Sequence, residues 1–141
     1  MTRVTVIGAG GYAGSHIAEA AVQRGFEVRG VNRSEVAMQI AGVSYEQGSI
    51  LSQADREKAV NGSDVVVVAV SPRGNMLGQA RPAIKELATL AGKAGVRLGV
   101  IGGAGSLHVS EGGPLVVESG FPEDYLEEAL ERVRKETYGV C

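Results

Sequence analysis

The amino-acid sequence predicts an α/β domain built on a doubly wound parallel sheet, with helices on both faces. Three observations carry the prediction. Short apolar runs alternate with segments of helical spacing, and such alternation implies parallel strands joined by right-handed crossovers. The run DVVVVAV (64–70) is apolar without a break, as expected of a strand covered on both faces. The first apolar run passes directly into GAGGYAG (8–14), a glycine-rich turn that is costly unless something must approach the backbone.

The elements follow in order. RVTVI (3–7) reads as a buried strand, and YAGSHIAEAAVQRG (12–25) as a helix with Ile17, Ala20, Ala21 and Arg24 at helical spacing and a stop at Gly25. FEVRGV (26–31) is the second strand, SEVAMQIA (34–41) a short helix or turn, and VSYEQG (43–48) a third, weaker strand. SQADREKAV (52–60) is helical, with Ser52 as N-cap and Asp55 in the first turn. The strand 64–70 comes next, then a helix over QARPAIKELATLAGKAG (79–95), in which Pro82 is tolerable only in the first turn. VRLGVIGG (96–103) is the fifth strand. Residues 104–122 are glycine-rich and irregular, and a loop of that length is usually functional or mobile. PEDYLEEALERVRKETYG (122–139) is a charged amphipathic helix, whose acids Glu123, Asp124, Glu127 and Glu128 read as a solvated face that suits the helix dipole.

Composition narrows the function. The chain has 141 residues, read as a single domain over 1–141, long enough for a proper core. A net charge of −2 gives no electrostatic footprint for nucleic acid or an anionic membrane. Aromatic residues are 4% of the chain and Trp is absent, which argues against base-stacking surfaces. The one cysteine, Cys141, excludes a disulfide framework within the chain and reads as a free terminal thiol, so a cytoplasmic location is expected. MTRVTVIG enters a strand pattern at once without the regions of a signal peptide, and no apolar stretch approaches a membrane span. No metal site is expected: His16 and His108 are the only histidines, and neither has a ligand-spaced neighbour.

The glycine turn follows a strand and opens a helix, the context in which a glycine fingerprint carries meaning. Gly8, Gly11 and Gly14 fit GxxGxxG, and Gly8, Gly10 and Ala13 fit GxGxxA. Gly8 permits the tight turn, Gly10 and Gly11 let the backbone approach a pyrophosphate, and Ala13 and Gly14 let the helix pack close to the strand. The helix N-terminus, from Tyr12 onward, offers free N–H groups to the anion. The plain alternative is a tight strand–helix turn with no ligand. The second strand ends in VNRS (31–34), with Asn32, Arg33 and Ser34 where an NAD-preferring site places an acid. A planar, permanently charged guanidinium suits a 2′-phosphate, so NADP(H) is expected over NAD(H); the alternative is a solvated loop arginine. Ser49 and Ile50 follow the third strand, where an adenine usually rests. Val70, Ser71 and Pro72 follow the fourth, at the switch point where open α/β sheets bind ligands. Arg73 reads equally as a pyrophosphate contact or a surface residue.

GAGGYAG, the NRS at 32–34, AVSP (69–72), IGGAGSLHV (101–109) and ESGFPEDYLEEAL (118–130) together resemble the atypical short-chain dehydrogenase/reductase family. The nearest branch is that of the NAD(P)H–flavin reductases and NAD(P)H-binding, NmrA-like proteins, and the resemblance covers essentially the whole chain. It implies a Rossmann fold with strand order 3-2-1-4-5, a reduced nicotinamide cofactor, and in some members hydride delivery to a flavin. Gly8, Gly11 and Gly14 match the family's phosphate loop and Arg33 its 2′-phosphate arginine. The chain departs from the family at Gly10, where Thr is common, and in GSILS (48–52), where an acid usually follows the glycine. Relatives usually continue for several dozen residues with a further strand and a small lobe, so this chain is expected to be short of that part and either to associate, with a homo-oligomer as one form, or to be poorly stable alone.

The short-chain dehydrogenase tetrad needs a Tyr with a Lys four residues later, because the cation favours proton transfer from the phenol. Tyr125 is followed at that distance by Ala129, and Tyr12, Tyr45 and Tyr138 have no such Lys. Alcohol–ketone chemistry through the tetrad is therefore not expected, whereas hydride transfer to a flavin needs less acid–base help. Ser106 and His108 are the candidates for contacting the acceptor, against plain readings as a turn hydroxyl and an exposed loop histidine. Three functions compete: an NADPH-dependent reductase of a small flavin (FMN) or quinone-like acceptor, a non-catalytic NADP(H) sensor, and a sugar-nucleotide or isoprenoid-type reductase, the last weakened by the missing Tyr–Lys pair and by the absence of a substrate domain.

Overall fold

The structure is a computed structural model and describes residues 2–70 and 79–101. In chain order the elements are β1 (Arg3–Ile7), α1 (Tyr12–Gln23), β2 (Glu27–Asn32), β3 (Val43–Gln47), α2 (Gln53–Val60), β4 (Val65–Val68), α3 (Ala80–Ala94) and β5 (Arg97–Val100). The five strands form one sheet in the order β3-β2-β1-β4-β5, every pair parallel. The α/β fold and the strand order are those expected. The chain winds outward from β1 in one direction, returns, and winds in the other. The switch point therefore lies between β1 and β4, at their carboxyl ends.

Both faces of the sheet are covered, which explains why its central strands carry unbroken apolar runs. Val4 and Val6 of β1 pack on one side with Ala18 and Ala21 of α1. Ile7, Val66 and Val68 face the other side, against Ala59 and Val60 of α2 and Ile84 and Leu87 of α3. Successive side chains of a strand point to opposite faces, so each apolar strand feeds two cores.

Local chemistry sets the helix boundaries. α1 ends where the Gly25 N–H donates to the Val22 carbonyl at 3.0 Å and the Phe26 N–H to the Ala21 carbonyl at 3.1 Å, the paired bonds of a Schellman cap. The Ser52 hydroxyl accepts from the Asp55 N–H at the start of α2. Pro82 falls in the first turn of α3, where its missing N–H costs nothing. The segment 34–41, expected as helix or turn, forms no helix; Ile40 is fixed instead by its N–H, which donates to the Tyr45 hydroxyl at 3.0 Å. Among the described residues no helix is long and apolar enough to cross a membrane. The irregular segment 104–122, the helix over 122–139, Tyr125 and Cys141 lie outside the described residues.

Candidate functional site

A cleft of about 460 Å³ opens over the carboxyl ends of the strands. All five strands lead into it. Gly8 follows β1, Asn32 and Arg33 close β2, Gly48 and Ile50 follow β3, Ala69 and Val70 follow β4, and Ile101 follows β5.

The glycine turn forms the middle of the cleft. The Gly8 N–H donates to the Val31 carbonyl at 2.7 Å, and the Gly11 N–H returns to the Gly8 carbonyl at 3.1 Å. Gly8 has φ +90°, and a Cβ there would come within 2.8 Å of the Ala69 carbonyl oxygen, so only glycine fits between β1 and β4. At Gly14 a Cβ would lie 2.0 Å from the Gly8 carbonyl oxygen, because α1 rests directly on the turn. Gly14 is buried and lies behind the cleft rather than in it.

The other two glycines of the turn differ from each other. Gly11 lines the cleft, and a Cβ there would meet only the Gly8 carbonyl oxygen, at 3.5 Å. Gly10, expected beside the pyrophosphate, is not part of the lining. A Cβ at Gly10 would come within 2.9 Å of the Asn32 amide nitrogen and 3.2 Å of Val36. Gly10 therefore makes room for the turn after β2.

At the N-terminus of α1, Gly11 is the N-cap, no side chain caps it, and no acid stands in the first turn. Tyr12 and Ala13 also line the cleft. An uncapped helix start presents unpaired N–H groups and partial positive charge. These residues fit a dinucleotide: a backbone cradle free of side chains at Gly11, beside an uncapped helix N-terminus that suits an anion. Tyr12 is 86% exposed and packs its ring on His16 at a centroid distance of 4.6 Å.

At the end of β2, Asn32 donates its amide to the Ser34 carbonyl at 3.1 Å, and Asn32 and Arg33 both line the cleft. Ser34 and Ser49, both expected at the cofactor, are not part of the lining. Ser49 is used within its own loop: its N–H donates to Asp55 Oδ2 at 2.9 Å, and its hydroxyl accepts from the Leu51 N–H at 3.1 Å. Ile50, only 2% exposed, reaches the cleft from that loop. Ile7, Val31, Gly48, Ala69 and Ile101 complete the lining and were not singled out by the sequence. The position of Gly48 at the end of a strand was the available signal for it. Ser71, Pro72, Arg73, Ser106 and His108 lie outside the described residues. Among the described residues no group of His, Cys, Asp and Glu could hold a metal ion.

Comparisons agree with this geometry. No curated protein matches the chain. Among solved structures, a candidate exported protein from Burkholderia pseudomallei is 34% identical with a TM-score of 0.77, the match covering 99% of this chain and 65% of that one. A candidate NADH-flavin reductase from Streptococcus pneumoniae is 28% identical with a TM-score of 0.83, over 98% of this chain and 65% of the other. A candidate epimerase from Bacteroides thetaiotaomicron is 26% identical with a TM-score of 0.81, over 96% and 63%. The chain thus spans slightly less than two thirds of the length of these solved relatives. A family described as NAD(P)H-binding matches residues 8–136, from the first glycine of the turn almost to the C-terminus. The chain belongs to that NAD(P)H-binding family, with the Rossmann-like fold its sequence predicts.

Proposed function

We propose that the chain is the cofactor-binding part of an NADPH-dependent reductase that passes hydride to a flavin or quinone-like acceptor. The observation that carries the reading is the end of β2: Asn32 and Arg33 line the cleft in the place where an NAD-preferring site holds an acid. A guanidinium at that point favours a 2′-phosphate over a bare hydroxyl by charge and by its fork of donors.

Each part of the cleft has a task in this reading. The first N–H groups of α1 hold the pyrophosphate, and Gly11, without a side chain, lets it come close. Ile50 flanks the adenine. Ala69, Val70 and Ile101 form an apolar wall at the switch point that keeps water from the nicotinamide. NADPH, when bound, supplies the hydride, and the protein's part is to orient donor and acceptor. The Streptococcus pneumoniae neighbour, a candidate NADH-flavin reductase at 28% identity, supports the choice of acceptor class.

A second reading, a non-catalytic NADP(H) sensor, is favoured by one feature of the sequence: Tyr12, Tyr45 and Tyr125 are followed four residues later by His16, Ser49 and Ala129 rather than by a lysine. Calorimetric titration with NADPH and NADH, followed by NADPH oxidation in the presence of FMN, separates the two. Turnover supports the reductase, and tight binding without turnover supports the sensor. Arg33→Ala should weaken NADPH about tenfold, the scale of a lost hydrogen bond to a charged group, and leave NADH unchanged. Equal losses for both nucleotides would remove the assignment of Arg33.

A further inference from the structure

Among the described residues, the core beneath the cleft contains one charged side chain. Arg56 of α2 is 6% exposed and shares its helix face with Ala59 and Val60, which pack against Val66 and Val68. Its Nη1 donates to the Ile50 carbonyl at 2.8 Å, and its Nη2 pairs with Glu86 Oε2 of α3. Its Nε is buried with no partner among the described residues. A guanidinium in such a place is a poor source of stability, because desolvation costs as much as the pair returns, and an apolar side chain of similar volume serves a core as well or better. Its position therefore calls for another explanation.

Ile50 supplies one. The loop from Gly48 to Ser52 is tied locally in four places: the Gly48 N–H to the Asn32 carbonyl at 2.8 Å, the Ser49 N–H to Asp55, the Leu51 N–H to the Ser49 hydroxyl at 3.1 Å, and the Ser52 N–H to the Ser49 carbonyl at 3.1 Å. The Ile50 carbonyl is reached from beneath, by a side chain that is itself held by α3. Ile50 lines the cleft, so the depth at which its side chain stands depends on Arg56. Glu86 is 62% exposed on its side chain and sets the guanidinium from outside the core.

We infer that Arg56 is a positioning residue for the adenine end of the nucleotide site, acting through the Ile50 carbonyl, with Glu86 as its anchor. The inference rests on the reading of the cleft as the NADP(H) site. It names a connection from the outer face of α3 to the ligand that no residue of the cleft itself reveals.

The test uses the full chain with NADPH and with adenosine 2′,5′-bisphosphate, which carries the adenine half alone. Arg56→Lys keeps the charge but loses the fork, and Glu86→Ala removes the anchor at an exposed position. Thr89→Ala, in the same groove between α2 and α3, is the control, because among the described residues the Thr89 hydroxyl bonds only its own helix, at the Lys85 carbonyl. Arg56→Lys and Glu86→Ala should weaken both nucleotides by the same factor, about threefold to tenfold, the usual range for coupling through a second residue. Amide exchange at Ile50 to Ser52 should speed up in both variants, and Thr89→Ala should match the parent chain in every readout. If both variants bind the bisphosphate as the parent does, and lose only thermal stability, Arg56 is structural and the inference is overturned. If the parent chain itself binds neither nucleotide, the reading of the cleft fails and takes the inference with it, and the exchange rates still report whether Arg56 holds the loop.

Discussion

A single methyl group separates the glycines of the turn into different kinds. At Gly11, on the cleft lining, it would meet only the Gly8 carbonyl oxygen at 3.5 Å, and the backbone there, at φ −81° and ψ 175°, accepts any residue. Gly11→Val should therefore fold as the parent does and lose NADPH binding in calorimetry. At Gly14 the same methyl would sit 2.0 Å from the Gly8 carbonyl oxygen, which cannot be relieved without lifting α1 off the sheet. Gly14→Ala should cost about 3 kcal/mol or more in urea unfolding, as overpacking against backbone does. A Gly14→Ala chain with parental stability would mean that α1 does not rest on the turn. The GxxGxxG spacing made the turn legible from the sequence, and it also made Gly8, Gly11 and Gly14 legible as a set. The spacing could not show that Gly10 faces Asn32, because that contact joins the turns after two different strands. For the same reason the sequence could not show that Ser49 is engaged within its own loop: a serine beside a strand end reads as a ligand contact until the loop's N–H groups are counted.

Elements differ in how far local sequence decides them. α1 and α3 have enough apolar residues at helical spacing to be read directly, and their glycine stops fall where the pattern ends. α2 is another matter. It has eight residues, too few for a stable helix in isolation, and its buried face contains a charge. Its ends decide it. At the N-terminus, the Ser52 hydroxyl accepts from the Asp55 N–H at 3.4 Å. At the C-terminus, Arg29 reaches from β2 and donates through Nη2 to the Lys58 carbonyl at 2.9 Å and the Ala59 carbonyl at 3.0 Å. The cap was visible in SQADREKAV. The arginine clamp was not, since residue 29 precedes the helix by a strand and a loop, and an arginine in a strand reads as exposed. Ser52→Ala should cost about 1 kcal/mol, the usual value for an N-cap. Arg29→Met should cost about 2 kcal/mol, because it leaves the last carbonyls of α2 and the buried Thr5–Ser63 hydroxyl pair short of donors. Both are read from urea midpoints at unchanged slope. An Arg29→Met chain as stable as the parent would show that α2 holds by packing alone.

At the scale of the molecule, the sheet order and the place of the site are one fact. The alternation of strands and helices predicts parallel strands, and reversal of the winding direction at β1 and β4 leaves a gap above them that none of the described helices covers. Because residues at the ends of all five strands line that gap, a ligand bound there touches every strand and stabilises the fold as a unit. A ligand at about 100 times its dissociation constant adds about 2.7 kcal/mol, which for a domain of this size raises the melting temperature by roughly 5–10 °C. NADPH should produce that rise in the parent chain and none in Gly11→Val. NADH at the same concentration should fall short by an amount that measures the contribution of Arg33. A tenfold preference is about 1.4 kcal/mol, or roughly 3–5 °C less of a rise. In Arg33→Ala the two nucleotides should give the same, smaller shift. A difference that survived the loss of Arg33 would move the source of the preference to another group at the end of β2, and the neighbouring Asn32 amide is the one that already lines the cleft.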